Sequence, residues 1–141
     1  MQPVPYLFFK TTCAEAMRFY ARIFGTGEPE IMTFEAAPPE VMNEMPGVDP
    51  SAVMHAALKV GDGWIYASDD PSGESQPMDG NSIALSFPTV EKAKSVFDAL
   101  AEGGDVRMGF EPTFWSPGFG SLTDRYGTRW MVMADGAEGG S

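Results

Sequence analysis

The hydrophobic pattern changes period several times along the chain, and each change marks an element. Val4 to Lys10 (VPYLFFK) is dense in aromatic and β-branched residues and predicts a strand, with Pro3 and Pro5 suggesting an edge or a strand entry. Thr12 then opens a helix, because Thr-Cys-Ala-Glu matches a capping box in which Thr12 and Glu15 would satisfy each other's backbone amides. Ala16, Tyr20, Ile23 and Phe24 follow at helical spacing, and Gly25 and Gly27 stop the run. Glu28 to Ala36 predicts a second strand. Ala37 to Ser51, with four prolines and a glycine, predicts a long loop whose apolar content is Val41, Met42 and Met45. Ala52 to Val60 and Trp64 to Ser68 predict a hairpin around Gly61-Asp62-Gly63, and Asp69 to Asn81 reads as a polar linker.

The first pattern then returns. Ser82 to Phe87 is a strand, Thr89 an N-cap, and Ala93, Val96, Phe97, Leu100 and Ala101 a buried stripe ended by Gly103 and Gly104. At an offset of 77 residues, Thr12 aligns with Thr89, Ala16 with Ala93, Tyr20 with Phe97, Ile23 with Leu100 and Gly27 with Gly104. This is an internal repeat, with a period too long for a solenoid. Asp105 to Glu111, Gly118 to Thr123 and Thr128 to Ala134 predict three further strands. The expected fold is therefore α+β: a first βαβββ module at 1–70, a linker at 71–81, a second module at 82–135 and a disordered tail at 136–141. One helix covers one face of each four-stranded sheet; the other face must meet the other half or a second chain, or be left as a cavity wall.

Composition narrows the function. A net charge of −11 repels phosphate backbones and anionic bilayers, so neither nucleic acid nor membrane is expected as a partner. No apolar run approaches the roughly 20 residues of a membrane helix. The N-terminus lacks the basic region and cleavage site of a signal peptide. Cys13, the one cysteine, permits no internal disulfide. These features together predict a cytoplasmic protein. His55 is the single histidine, which excludes every site needing two histidines from one chain.

At this point the residues resemble a family. Paired βαβββ halves, AEAMRFYARIFG as first helix, SIALSFPTVEKAKSVFDALAEGG as the opening of the second half, and TDRYG as the turn before the last strand resemble the vicinal-oxygen-chelate superfamily of glyoxalase I, bleomycin-resistance proteins and extradiol dioxygenases. PYLFF, HAALKV, ASDDPSG and TFWSPGFGSLTDRYGTRWM are similar to its PhnB-like branch, over about residues 3 to 134. The resemblance implies a dimer with open-barrel clefts. It also implies metal ligands on the first and last strands of each half, at positions that fall here on Pro5, Ser82 and Met131, with Asp69 just beyond the end of WIYAS. Proline has no donor, a serine hydroxyl is a poor one, and a thioether does not suit magnesium, manganese or zinc. No metal and no cofactor is therefore expected. Branch members also carry a ubiquinone-type methyltransferase label, but no glycine-rich strand-to-helix loop for an adenosyl cofactor is present; GFGSLTD leads into a hairpin.

His55 shares a strand face with Val53, Ala57 and Lys59, and is either a hydrogen-bonded structural residue or a proton shuttle or ligand contact. Asp69 and Asp70 read as turn chemistry or as an acid–base pair. Asp124 and Gly127 read as a type I turn. Phe114, Trp115 and Phe119 would wall a pocket or pack at an interface. Cys13 sits at a helix N-terminus, where the dipole lowers a thiol pKa, yet no base is placed beside it. Two functions compete. The first is a metal-free small-molecule-binding homodimer taking a neutral or cationic ligand on Tyr6, Phe8, His55, Tyr66, Asp69, Trp115, Phe119 and Met131, with Trp64 also in the cleft. The second is a lyase, isomerase or dioxygenase-like enzyme acting through a displaced metal site or through His55 and Asp69.

Overall fold

A computed structural model describes residues 1–135; the tail expected to be disordered, 136–141, lies outside them. The chain divides into a unit from Met1 to Gln76 and a second from Pro77 onward. The first unit runs β1 (Tyr6–Phe9), α1 (Cys13–Phe24), β2 (Glu30–Thr33), a 3-10 turn (Phe34–Ala36), α2 (Pro39–Asn43), β3 (Val53–Val60) and β4 (Gly63–Asp69). Its sheet has the order β1-β4-β3-β2, parallel between β1 and β4 and antiparallel elsewhere. The second unit runs β5 (Ile83–Phe87), α3 (Val90–Ala101), β6 (Asp105–Glu111), β7 (Phe119–Thr123) and β8 (Arg129–Ala134), in the order β5-β8-β7-β6. Each is thus a βαβββ module, the first with two short helical turns inserted.

Alternation along the strands builds each core. In the first unit Leu7, Phe9, Ala56, Leu58, Ile65 and Ala67 are buried on the α1 side, against Ala16, Met17 and Tyr20. In the second, Leu122, Trp130, Val132 and Ala134 face Ala93, Val96, Phe97 and Leu100 of α3. Gly120 stands where a Cβ would come within 2.6 Å of the Phe97 ring, so only glycine lets the helix lie this close to β7.

Several expectations are corrected. Thr12 makes no side-chain cap hydrogen bond. The first amide of α1 is instead taken by Asp69 from the end of β4, the Cys13 N–H donating to Oδ1 at 3.0 Å. Thr89 caps α3 as expected, accepting from the Lys92 N–H at 3.1 Å. The strand expected over Glu28 to Ala36 is only Glu30–Thr33, because the register slips between Met32 and Thr33 and the chain then coils, Phe34 donating to the Ala52 carbonyl. Within the loop expected from Ala37 to Ser51, Pro39 begins the short α2, where its missing N–H costs nothing.

The repeat also needs a correction. The helices begin 77 residues apart, at Cys13 and Val90. The core-facing strand residues Leu7 and Phe9, however, correspond to Leu85 and Phe87, at 78. The second strand-to-helix connection is one residue shorter than the first, so Pro5 and Ser82 are not equivalent positions.

Candidate functional site

The helix-free face of the first sheet is set by the other members of the same alternation. Tyr6, Tyr66, Ala57 and Glu30 are consecutive cross-strand neighbours and form one row across the sheet. Phe8 pairs with Ser68, and His55 with Met32, in the next row. Trp64, opposite Lys59, extends the face at the far end of β4. The rings touch: Tyr6 lies 5.1 Å from Phe8, 5.7 Å from His55 and 6.3 Å from Tyr66, while His55 and Tyr66 are 5.2 Å apart. This apolar surface is open, with Phe8 61% and Tyr6 40% exposed.

His55 is held within this cluster by the Tyr6 hydroxyl, 3.1 Å from Nδ1. In the tautomer where Tyr6 donates, Nε2 carries the proton, so the imidazole is left one further donor. The bond fixes the ring orientation without closing off the face.

Asp69 lies on the opposite side. It shares the register of Ile65 and Ala67 on β4, so its carboxylate points toward α1, where it is only 6% exposed. Its Oδ2 accepts from the Val53 N–H at 2.9 Å, and its Oδ1 takes the Cys13 amide. His55 and Asp69 are therefore on opposite faces of one sheet and form no joint site. Asp69 does act on Cys13: burial first, and then the adjacent carboxylate charge, push that thiol up to about 12. The helix dipole does not win.

Asp70 belongs to the turn that follows. Its carboxylate accepts from the Ser72 hydroxyl at 2.7 Å and the Ser75 N–H at 2.7 Å, and these bonds, Ser72 foremost, hold its pKa below the ordinary carboxylate value. Asp69 and Asp70 border a cleft of about 360 Å³, with Lys10, Thr11, Asp49 and Ser51 among its walls. Each of the three carboxylates there already accepts bonds from its own neighbourhood.

In the second unit the helix-free face presents Ala84, Met131, Ser121 and Met108 in one cross-strand row and Ser86, Met133 and Phe119 in the next. Trp115 packs edge-on to Phe119 at 5.5 Å, and Phe114 to Trp115 at 4.8 Å. Phe119 is buried beneath them, while Phe114 is 97% exposed. The loop carrying these rings is pinned by Ser116, whose buried hydroxyl lies 2.7 Å from the Gly118 and Ala134 carbonyl oxygens.

The hairpin that delivers β8 is structural. One Asp124 oxygen accepts from the Tyr126 and Thr128 amides, and the other from the indole N–H of the fully buried Trp130 at 2.8 Å. Gly127 closes the turn at φ 93°.

The structure thus gathers Tyr6, Phe8, His55 and Tyr66 on one face, and Trp115, Phe119 and Met131 on another. Ser68, and Glu30 at the end of the first row, were not singled out from sequence, although the period-two pattern contained them once the strand order was known; Ala57 falls on the His55 face as expected. The metal positions do not fit a hard divalent cation. Pro5 and Ser82 precede their strands, and the β5 neighbour of Met131 is Ala84, which has no donor. Among the described residues no three of His, Cys, Asp and Glu converge as a metal group.

Comparison with known proteins agrees with this architecture. Residues 2–133 match the family model described as 3-demethylubiquinone-9 3-methyltransferase. Protein YjdN of Escherichia coli is 31% identical over 135 residues, covering 91% of each chain. The crystal structure of PA1353 from Pseudomonas aeruginosa is 39% identical with a TM-score of 0.85, over 96% of this chain and 98% of that one. The PhnB protein of Bacillus cereus superposes at a TM-score of 0.76 with 22% identity, over 95% and 99%. A glyoxylase/bleomycin resistance protein/dioxygenase domain from Frankia shares the fold at a TM-score of 0.63 and 12% identity, over 96% and 97%. Two βαβββ modules of this topology and a match over nearly the whole length place the chain in the family described as 3-demethylubiquinone-9 3-methyltransferase, which is PhnB-like and has the glyoxalase/bleomycin-resistance/dioxygenase fold.

Proposed function

We propose that this chain is a small-molecule-binding protein that holds a neutral or cationic ligand without a metal, on the open faces of its sheets. The observation that supports this reading best is the contiguous ring surface of Tyr6, Phe8, His55 and Tyr66, left exposed where a purely structural sheet would be covered or polar. Trp115 and Met131, over the buried Phe119, would form the corresponding surface of the second module. Asp69 serves from behind the first sheet, holding α1 to β4. On this reading the protein is a cytoplasmic homodimer. Its net charge of −11 disfavours nucleic acid and anionic membranes, and no helix among the described residues is long and apolar enough to cross a bilayer.

The methyl transfer in the family description finds no support in a loop for an adenosyl cofactor: the single parallel pair of each sheet is not followed by a glycine-rich turn. No observation favours the lyase, isomerase or dioxygenase alternative over binding, since His55 and Asp69 face opposite ways.

A thermal-shift screen of neutral and cationic aromatic and alkyl compounds tests the proposal. A saturable rise in Tm for the wild type, lost in a Tyr6→Ala/Phe8→Ala variant of unchanged basal Tm, is expected. A rise that survives in the variant would move the ligand off this face, and no rise across the screen would leave the binding reading without support.

A further inference from the structure

We infer that the helix-free face of the second module binds a monocarboxylate with an apolar body, its carboxylate held by Arg129. The inference does not rest on the first face. For the second it replaces a ligand charge drawn from the net charge of the chain with one drawn from the local cation.

The anchor is an arginine with too few partners. Arg129 opens β8, a central strand, on the same face as Met131 and Met133. Its side chain is only 22% exposed. Its Nε–H is buried with no acceptor, the one side-chain polar atom in that condition among the described residues. Buried donors are nearly always paired, so this one calls for an acceptor from outside the chain. Among the described residues the guanidinium has one partner, Asp79, at 3.4 Å from Nη1, and that carboxylate is 94% exposed. Charge-assisted bonds run at about 2.7–2.9 Å, so this contact is long, and an ion pair so exposed holds weakly. The Nε/Nη2 edge of the fork, which a carboxylate grips with two parallel bonds, meets no acceptor of the protein.

The surroundings set the rest of the ligand. Thr123 lies across from Arg129 on β7 and adds a hydroxyl, and Asp105 follows it in the same row. One guanidinium beside Asp79 and Asp105 neutralises at most a single added charge, which favours a carboxylate over a phosphate dianion. Farther along β8 the face turns apolar. Met131 is flanked by Ala84 and Ser121, and Met133 by Ser86 and Phe119, on which Trp115 packs at 5.5 Å. At the ~3.3 Å rise of a strand, Met133 stands about 13 Å from Arg129, enough to lay an alkyl chain or a phenyl ring between them. Flexible thioethers accept apolar groups of varied shape. Asp79 is then a placeholder. An entering carboxylate displaces it, and the guanidinium turns its two-bond edge to the face. Met78 anchors the chain just before it, its Sδ accepting the Arg129 N–H at 3.3 Å, so Asp79 moves without loosening β8.

The test titrates hydrocinnamate and its uncharged primary amide against the full chain at neutral pH, by saturation-transfer NMR on their ring protons. Hydrocinnamate is expected to bind about tenfold more tightly than the amide, with the difference lost in Arg129→Gln and widened about threefold in Asp79→Asn, which removes the competing carboxylate. Inorganic phosphate at equal concentration is expected not to displace it. Equal binding of acid and amide would overturn the carboxylate. A preference for the acid that survives Arg129→Gln would overturn the location, and one that Asp79→Asn leaves unchanged would overturn the placeholder. Displacement by phosphate would overturn the monoanion, and no binding up to tens of millimolar would overturn the inference outright. Asp79 is almost fully exposed, so its variant keeps the fold and remains decisive even where Arg129→Gln lowers Tm.

Discussion

Replacing Asp69 with alanine removes the acceptor that joins three elements of the first module. The carboxylate sits at the end of β4, takes the first amide of α1 through Cys13, and takes the first amide of β3 through Val53. Both donors belong to residues with 0% and 2% exposure, so neither is readily hydrated in the variant. Leaving a buried donor unpaired costs about 1–3 kcal/mol, and two such donors cost about 2–6 kcal/mol. The N-terminus of α1 also loses a favourable anion, a further ~0.5 kcal/mol, while relief of the carboxylate's own burial offsets part of the total. A loss of about 3 kcal/mol is expected, and about half of that for Asp69→Asn, which keeps one acceptor oxygen. Urea denaturation followed by far-UV circular dichroism gives the magnitude. Hydrogen exchange at the Cys13 and Val53 amides gives the location, and both should lose protection in step with the global change. A loss below about 0.5 kcal/mol, or unchanged protection at both amides, would refute the assignment of Asp69 as the clamp.

Gly127→Val demands φ near 93° of a β-branched residue, and a cost of about 1–3 kcal/mol should appear as a clear fall in Tm; an unshifted Tm would remove the turn from the account. Cys13 should resist iodoacetamide at pH 8 in the folded protein and react only on unfolding. Its pKa rises from 9.0 to about 12 on folding, so the folded state keeps a proton that the unfolded state loses, and this contribution to stability should decline as pH rises from 9 toward 12. A Cys13→Ser variant whose stability has the same alkaline slope would count against that linkage. Trp115→Ala removes a half-exposed ring that covers Phe119, and should weaken any ligand held on the second face; unchanged affinity would take Trp115 out of the site.

Local features were the most legible. The helical stripes at Ala16 and Tyr20 and at Ala93, Val96, Phe97 and Leu100 come from a spacing that needs only the helix itself. The Asp124-to-Gly127 turn closes over four residues, and its chemistry is contained in those residues. What escaped was set by distant pairing. Asp69 bonds across 16 and 56 residues, so its role as the cap of α1 was hidden behind a plausible capping box at Thr12. The meeting of Tyr6 with His55 needed β4 to lie between β1 and β3, and strand order does not follow from alternation. The missing residue before α3 was masked because the helices alone set the alignment of the repeat.

The central claim is that an open, metal-free face of rings holds a small molecule. Native mass spectrometry of the protein purified without a chelator tests it most directly. The expected result is a dimer mass free of metal, with an associated small molecule. One tightly held metal ion per chain would contradict it, and would require a ligand set that Pro5, Ser82 and Met131 cannot supply.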